Sequence, residues 1–143
     1  MKENLFSYAA ARANAKLARR HYDVRIDTNN TCNLNCIYCQ INDYTNSAEY
    51  MSVSSFNTLA NIFFPESRYV SLSFGTEPLM SKHFSTFLEI LHSYNVPDTH
   101  YITNGLLLDK NIIEQSILAK INAITISNPE NSPIKKGKAP VVR

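Results

Sequence analysis

The sequence predicts an α/β fold in which parallel strands alternate with helices. Three observations predict it: short stretches of alternating polar and apolar residues, helical stretches with an apolar stripe between them, and a spacing of about 30 residues for each strand–helix unit. Strands that alternate with helices pair in parallel through right-handed crossovers. We therefore expect one domain, with its helices packed on a parallel sheet.

Four strands are predicted along the chain. Each is a short stretch with alternating polarity or with β-branched and aromatic residues, and turn residues follow it. Their predicted ranges are residues 23–27, 69–74, 100–103 and 123–127.

Helices are predicted before the first strand and between successive strands. Residues 4–21 are rich in Ala, Arg, Lys and Leu and contain neither Pro nor Gly. Ser52 can cap a helix that Pro65 ends, Ser81 can start a second helix, and Asp109 can cap a third. The apolar stripes of the second and third helices are expected in the core, and they comprise Phe84, Phe87, Leu88 and Leu91, and Ile112, Ile113, Ile117 and Leu118.

The predicted domain organisation has three parts. An N-terminal helix covers residues 1–21, an α/β core covers residues 22–128, and residues 129–143, which contain prolines and lysines without an apolar period, form a mobile tail.

Composition narrows the class of protein. The 143 residues are 44% hydrophobic and 18% charged, which is a globular balance, and a net charge of +2 gives no reason to expect nucleic acid or an anionic membrane as a partner. No apolar run approaches the ~20 residues of a membrane helix. Basic residues such as Arg12 and Lys16 interrupt the only stretch that could serve as a signal peptide, so we expect a cytoplasmic location.

All three cysteines, Cys32, Cys36 and Cys39, lie in one loop with C-x3-C-x2-C spacing. In a reducing compartment this pattern indicates metal ligands or reactive thiols rather than disulfides. An iron–sulfur cube usually takes four cysteines, so three would leave one iron free to bind something else. A zinc loop completed by one histidine, and unligated thiols, are the alternatives. The histidines available for zinc are His21, His83, His92 and His100.

The cysteine window, with Tyr38 just before the last cysteine, resembles the signature of the radical S-adenosylmethionine (SAM) enzymes. The resemblance continues in order over residues 23–128. Residues 74–79 resemble the family's Gly-Gly-Glu-Pro segment, residues 102–105 its Thr-Asn-Gly turn, and residues 124–127 its Ser-x-Asp strand end.

This resemblance implies a partial (β/α)6 barrel, with about four of six parallel strands present and the barrel truncated at its C-terminus. It also implies a [4Fe–4S] cluster held by the three cysteines, with SAM chelated by the fourth iron, and a site at the carboxyl ends of the strands. By resemblance, Tyr38 lies against the adenine and Ser127 helps to hold the carboxylate or ribose. The remaining residues that the resemblance assigns to SAM are Gly75, Thr76, Glu77, Pro78 and Asn104.

The sequence departs from the family pattern at three points. Thr76 stands where a second glycine is usual, so we expect weaker SAM binding. Asn128 replaces an acidic residue, and two strands of the barrel are missing, which leaves an exposed edge that favours aggregation. Simpler interpretations also stand: Glu77 as a solvated carboxylate, Asn104 as part of a common turn, and Ser127 as a hydroxyl without a role.

The resemblance implies reductive cleavage of SAM followed by hydrogen abstraction from a substrate. The cysteine loop is similar to that of peptide- and protein-modifying members, so a peptide is one candidate substrate. A reductant such as flavodoxin or ferredoxin, and a chain that supplies the missing half of the barrel, are the expected partners. The alternative is a protein that holds a cluster, or a metal, without performing chemistry.

Overall fold

A computed structural model describes residues 20–36, 39 and 47–127 of the chain. Over these residues it contains one sheet of four strands, paired in parallel in the order β1-β2-β3-β4. The strands are β1 (Tyr22–Arg25), β2 (Ser67–Ser71), β3 (Asp98–Thr103) and β4 (Ala123–Ile126). The predicted α/β fold, with about four parallel strands of a partial barrel, is confirmed.

Each crossover between neighbouring strands contains a helix. The helices are α1 (Val53–Phe63), α2 (Phe84–Ser93) and α3 (Lys110–Leu118), and short 3-10 turns occupy Phe64–Glu66 and Pro78–Met80. Two predicted caps are present, because the side chain of Ser52 accepts from the Ser55 N–H at 3.0 Å and that of Asp109 accepts from the Ile112 N–H at 2.8 Å.

The second helix begins later than predicted. Ser81 closes the preceding 3-10 turn by donating its N–H to the Pro78 carbonyl at 3.1 Å, and its backbone is extended. Helix α2 therefore starts at Phe84.

Strand β2 also ends earlier than predicted, at Ser71. The Ser73 hydroxyl accepts from the Ile102 N–H at 2.6 Å, where a strand would offer a backbone carbonyl. The segment after Ser73 is then free to leave the sheet, and this segment carries part of the candidate site.

The core lies between the sheet and the helices. Phe56 of α1 stacks on Phe87 of α2 with ring centroids 4.3 Å apart, and Phe84 contacts Tyr101 of β3 edge to face. Tyr101 is fully buried, and its hydroxyl is paired with the hydroxyl of Ser116 at 2.9 Å. The aromatic stripe of α2 is thus core, as predicted.

The apolar stripe predicted for the third helix is wrong for three of its four residues. Ile113, Ile117 and Leu118 are 41%, 69% and 76% exposed. Helix α3 instead turns Ile112 and Ser116 toward the core, because the Ser116 hydroxyl is satisfied by Tyr101 and by the Ile112 carbonyl at 2.8 Å. A buried hydrogen bond therefore decides which face of α3 is inside.

The predicted N-terminal helix and the predicted tail lie almost wholly outside the described residues. Of the helix, only Arg20 and His21 are described, and neither is helical. The guanidinium of Arg20 donates to the carbonyls of Phe64, Ser67 and Tyr94 at 3.0–3.1 Å, and so joins the C-terminal ends of α1 and α2. In the described part of the chain, no helix has the length and apolar character needed to cross a membrane.

Candidate functional site

Four loops meet at the carboxyl edge of the sheet, where parallel α/β folds place their sites. The cysteine loop follows β1, residues 72–77 follow β2, Asn104 and Gly105 follow β3, and Ser127 follows β4. Ser127 is tied back to β3, since its N–H and its hydroxyl both donate to the Thr103 carbonyl, at 2.8 and 3.3 Å. The structure thus brings together the strand ends that carry the predicted motifs.

The three cysteines are free and half-buried. The Cys39 N–H donates to the Cys36 carbonyl at 3.1 Å, and the Leu34 N–H donates to the Cys32 sulfur at 3.5 Å. Burial raises the pKa of the Cys32 thiol, the neighbouring Glu77 carboxylate raises it further, and the Leu34 N–H opposes this. A positively charged metal favours the thiolate that binds it, so metal binding would overcome this preference for the thiol. Tyr38 lies outside the described residues.

The cysteines fit an iron–sulfur cluster by ligand type, because thiolates from one loop are its usual ligands. Among the described residues, no three His, Cys, Asp or Glu side chains already converge closely enough to hold a metal ion. Two histidines considered for zinc have partners elsewhere: His21 pairs with Glu66 at 3.1 Å, and His100 lies between Tyr69 and Thr125.

Glu77 is buried, with 2% of its surface exposed, so the solvated alternative is wrong. Its carboxylate accepts from the Thr103 hydroxyl at 2.8 Å, from the Asn104 N–H at 2.8 Å and from the Leu79 N–H at 3.1 Å. The backbone of Glu77 also joins the cysteine loop: its N–H donates to the Thr31 carbonyl at 3.0 Å, and its carbonyl accepts from the Asn29 amide at 2.9 Å. This residue therefore links the ends of β1, β2 and β3.

Asn104 reaches the cysteine loop directly. Its side-chain amide donates to Asn33 Oδ1 at 2.6 Å and approaches the Cys32 sulfur at 3.9 Å, while its Oδ1 accepts from the Leu106 N–H at 3.0 Å. Gly105 has φ +80°, and a Cβ there would lie 3.0 Å from Ile126 Cγ2, so any other residue at this turn would be strained.

Asp27 is a residue of this site that the sequence interpretation missed. The alternating pattern places it in the first strand, but it lies beyond the end of β1, and its carboxylate accepts from the N–H groups of Phe74, Gly75 and Thr76. The only sequence signal is an acidic residue five positions before the first cysteine. Thr76 turns its hydroxyl to the same carboxylate at 3.0 Å.

Comparison with known proteins gives the class to which this fold and site belong. The family model described as the radical SAM superfamily matches residues 26–128, which is most of the chain. The chain therefore belongs to the radical SAM superfamily.

One curated protein and one solved structure are similar to this chain. A probable GTP 3',8-cyclase from Methanocaldococcus jannaschii is 30% identical over 121 residues, covering 80% of this chain and 40% of the relative. The crystal structure of BtrN in complex with AdoMet and 2-DOIA is similar with a TM-score of 0.65 at 18% identity, covering 84% of this chain and 49% of that chain. The chain thus spans less than half the length of each of these two proteins.

Proposed function

We propose that this protein binds a [4Fe–4S] cluster through Cys32, Cys36 and Cys39 and uses it with SAM for reductive cleavage and hydrogen abstraction. One observation supports this most: the loop that carries the cysteines is hydrogen-bonded to the loop that carries Glu77, through Thr31 and Asn29. Two segments that match separate parts of the family signature therefore meet at one place.

When bound, the cluster and SAM supply one-electron cleavage of a carbon–sulfur bond and a carbon radical that removes hydrogen from the substrate. The residues of this chain bind and orient. The cysteines supply three thiolates, and the backbone around Gly75 and Thr76 supplies acceptors for an ammonium group, which carries three donors. Ser127 and Pro78 also belong to the residues proposed to bind SAM, and Tyr38 is proposed to contact its adenine.

The buried Glu77 side chain has a different role in this proposal. Three donors already occupy its carboxylate, so it holds the strand ends in place rather than binding SAM directly. Asn104 likewise acts beside the cysteine loop, where its amide approaches Cys32.

The partners are proposed on chemical grounds. Reduction of the cluster requires a one-electron donor, such as a flavodoxin or a ferredoxin, and a peptide is the proposed substrate class because of the similarity of the cysteine loop. Strand β4 pairs only with β3 in the described part of the sheet. Its other side is where we propose that further strands, from another chain, would complete the barrel wall.

The test is SAM cleavage by anaerobically reconstituted protein. After reduction with dithionite, we expect 5′-deoxyadenosine and methionine in equal amounts from the wild type, and neither from Cys36→Ala. A protein without a cubane signal in electron paramagnetic resonance (EPR) would contradict the proposal. A cluster that forms but neither binds nor cleaves SAM would indicate the non-enzymatic, cluster-holding alternative.

A further inference from the structure

We infer that Asp27 is a positioning residue for SAM. Its carboxylate accepts hydrogen bonds from the N–H groups of residues 74–76, so that the carbonyl oxygens of that loop are available to the ammonium group of SAM. This inference rests on the proposed function and deepens it. It assigns a role to a residue outside the motifs recognised in the sequence.

The Asp27 carboxylate is hydrogen-bonded to three consecutive N–H groups of the loop. Its Oδ1 accepts from the N–H groups of Phe74 at 2.8 Å, Gly75 at 3.1 Å and Thr76 at 3.3 Å, and Oδ2 also accepts from Gly75 at 3.1 Å. Successive N–H groups directed at one anion form a nest, which fixes the backbone that supplies them. The conformation of this loop is thus set by a carboxylate on the neighbouring strand end.

Side-chain contacts of the loop are few, and Phe74 has one with Arg25, whose guanidinium lies 6.0 Å from the ring centroid. Phe74 is 71% exposed, so its side chain contributes no core packing, whereas Glu77 three residues later is buried. The loop is therefore held by its hydrogen bonds to Asp27 on one side and by the buried Glu77 on the other. Removal of the Asp27 carboxylate would free three consecutive N–H groups and allow the backbone to turn.

The carbonyl oxygens of the same loop, residues 74–76, are the groups proposed to accept from SAM. Within the described residues, no hydrogen bond engages the carbonyl oxygens of residues 74–76. An ammonium group needs acceptors, and these oxygens lie in the segment that follows β2 at the site edge. The charge of Asp27 also favours a cation nearby.

Thr76 takes part in the same arrangement. Its hydroxyl donates to Asp27 Oδ1 at 3.0 Å, which adds a fourth donor to the carboxylate. The residue that replaces the family's second glycine is thus anchored by Asp27. A side chain in place of glycine is expected to weaken SAM binding. The Thr76 side chain, however, also supports the loop through its hydrogen bond to Asp27.

The test measures SAM affinity of cluster-loaded protein by anaerobic equilibrium dialysis, together with amide hydrogen exchange of cluster-free protein. For Asp27→Ala we expect roughly tenfold or more weaker SAM binding. We also expect faster exchange at residues 74–76 with unchanged exchange in β3, which shows that the fold is intact. Asp23→Asn is the matched control, because this carboxylate is on β1 but forms an exposed pair with Arg68. It should leave both measurements unchanged.

A milder pair of variants covers the case in which Asp27→Ala does not fold. Thr76→Val replaces the hydroxyl with a methyl group and should weaken SAM binding a few-fold, whereas Thr76→Ser keeps the hydroxyl and should bind SAM like the wild type. If the wild type binds SAM and both Asp27→Ala and Thr76→Val bind it equally well, the inference fails while the proposed function stands. If the loaded wild type binds no SAM, both fail.

Discussion

Glu77 shows how much one buried carboxylate determines at the residue scale. Its two oxygens receive donors from Leu79, Thr103 and Asn104, and its backbone joins the cysteine loop. A buried polar group is costly when it loses its partners and stabilising when it keeps them. The geometry of the site edge therefore depends on this side chain.

Glu77→Gln should lower the free energy of unfolding by about 1–3 kcal/mol. The amide keeps one acceptor oxygen but places an NH2 group against donors, so at least one buried N–H loses its partner. Urea denaturation would measure the loss. Glu66→Gln is the control, since this carboxylate is exposed and should change stability by no more than about 0.5 kcal/mol. Equal effects of the two changes would contradict the role assigned to Glu77.

Asn104→Asp should make the reduction potential of the proposed cluster more negative. The change keeps the oxygen that accepts from Leu106, removes the N–H donor that approaches Cys32, and adds a negative charge. Hydrogen bonds to the sulfurs and nearby charge both set the potential of such clusters. An EPR-monitored redox titration measures it.

Asn61→Asp provides the control for the change in net charge, because Asn61 is an exposed residue of α1. A potential that shifts equally in both variants, or in neither, would mean that the Asn104 amide does not act on the cluster.

At the scale of elements, a polar side-chain network joins three strands. His100 of β3 contacts the Tyr69 hydroxyl of β2 at 3.0 Å through Nδ1 and the Thr125 hydroxyl of β4 at 2.8 Å through Nε2. A neutral imidazole offers one donor and one acceptor, and both hydroxyls can take the complementary role. The network fixes β4, an edge strand of the described sheet, to the strands inside it.

The stability of this network should depend on pH. Burial lowers the pKa of His100 below its ordinary 6.5, Arg25 lowers it further, and Asp98 opposes this. Since the unfolded chain takes up the proton first, the contribution of His100 is fully present above about pH 6.5 and is lost as the pH falls below that value. Thermal melting between pH 5 and 7.5 should show a steeper acid decline for the wild type than for His100→Gln. Parallel declines would contradict this.

The sequence predicted the elements better than their contacts. Motifs at strand ends could be expected to meet, because parallel strands place their carboxyl ends at one edge. The buried side of α3 could not be read from apolar spacing, since the hydroxyl of Ser116 is buried by pairing with Tyr101. The partners of Glu77 lie 26 and 27 residues further along the chain, and Asp27 appeared to be one more polar position of an alternating strand.

On the scale of the whole molecule, the described sheet has two edges, β1 and β4, and apolar side chains are exposed near the second. Ile126 is 57% exposed, and Ile102 is 39% exposed. Unprotected strand edges pair with other chains. This agrees with the expectation that the isolated chain self-associates, which stays a prediction.

Ile126→Lys should reduce that self-association, because a charge on an edge strand opposes edge-to-edge pairing. Light scattering after size-exclusion chromatography, at two protein concentrations, would show a lower average mass than for the wild type. Ile62→Lys is matched to it, since Ile62 is 60% exposed but lies on α1. A monodisperse wild-type monomer would contradict the prediction.

The sheet order β1-β2-β3-β4 has a consequence during synthesis on the ribosome. Each strand that emerges finds its neighbour already made, so the sheet can grow in the direction of translation. The Glu77 carboxylate, however, has no Thr103 or Asn104 donor until those residues are synthesised. At a synthesis rate of 5–20 residues per second this takes roughly one to five seconds more. The nascent chain therefore passes through an interval in which the cysteine loop has been made but the hydrogen bonds from Thr103 and Asn104 to Glu77 have not yet formed.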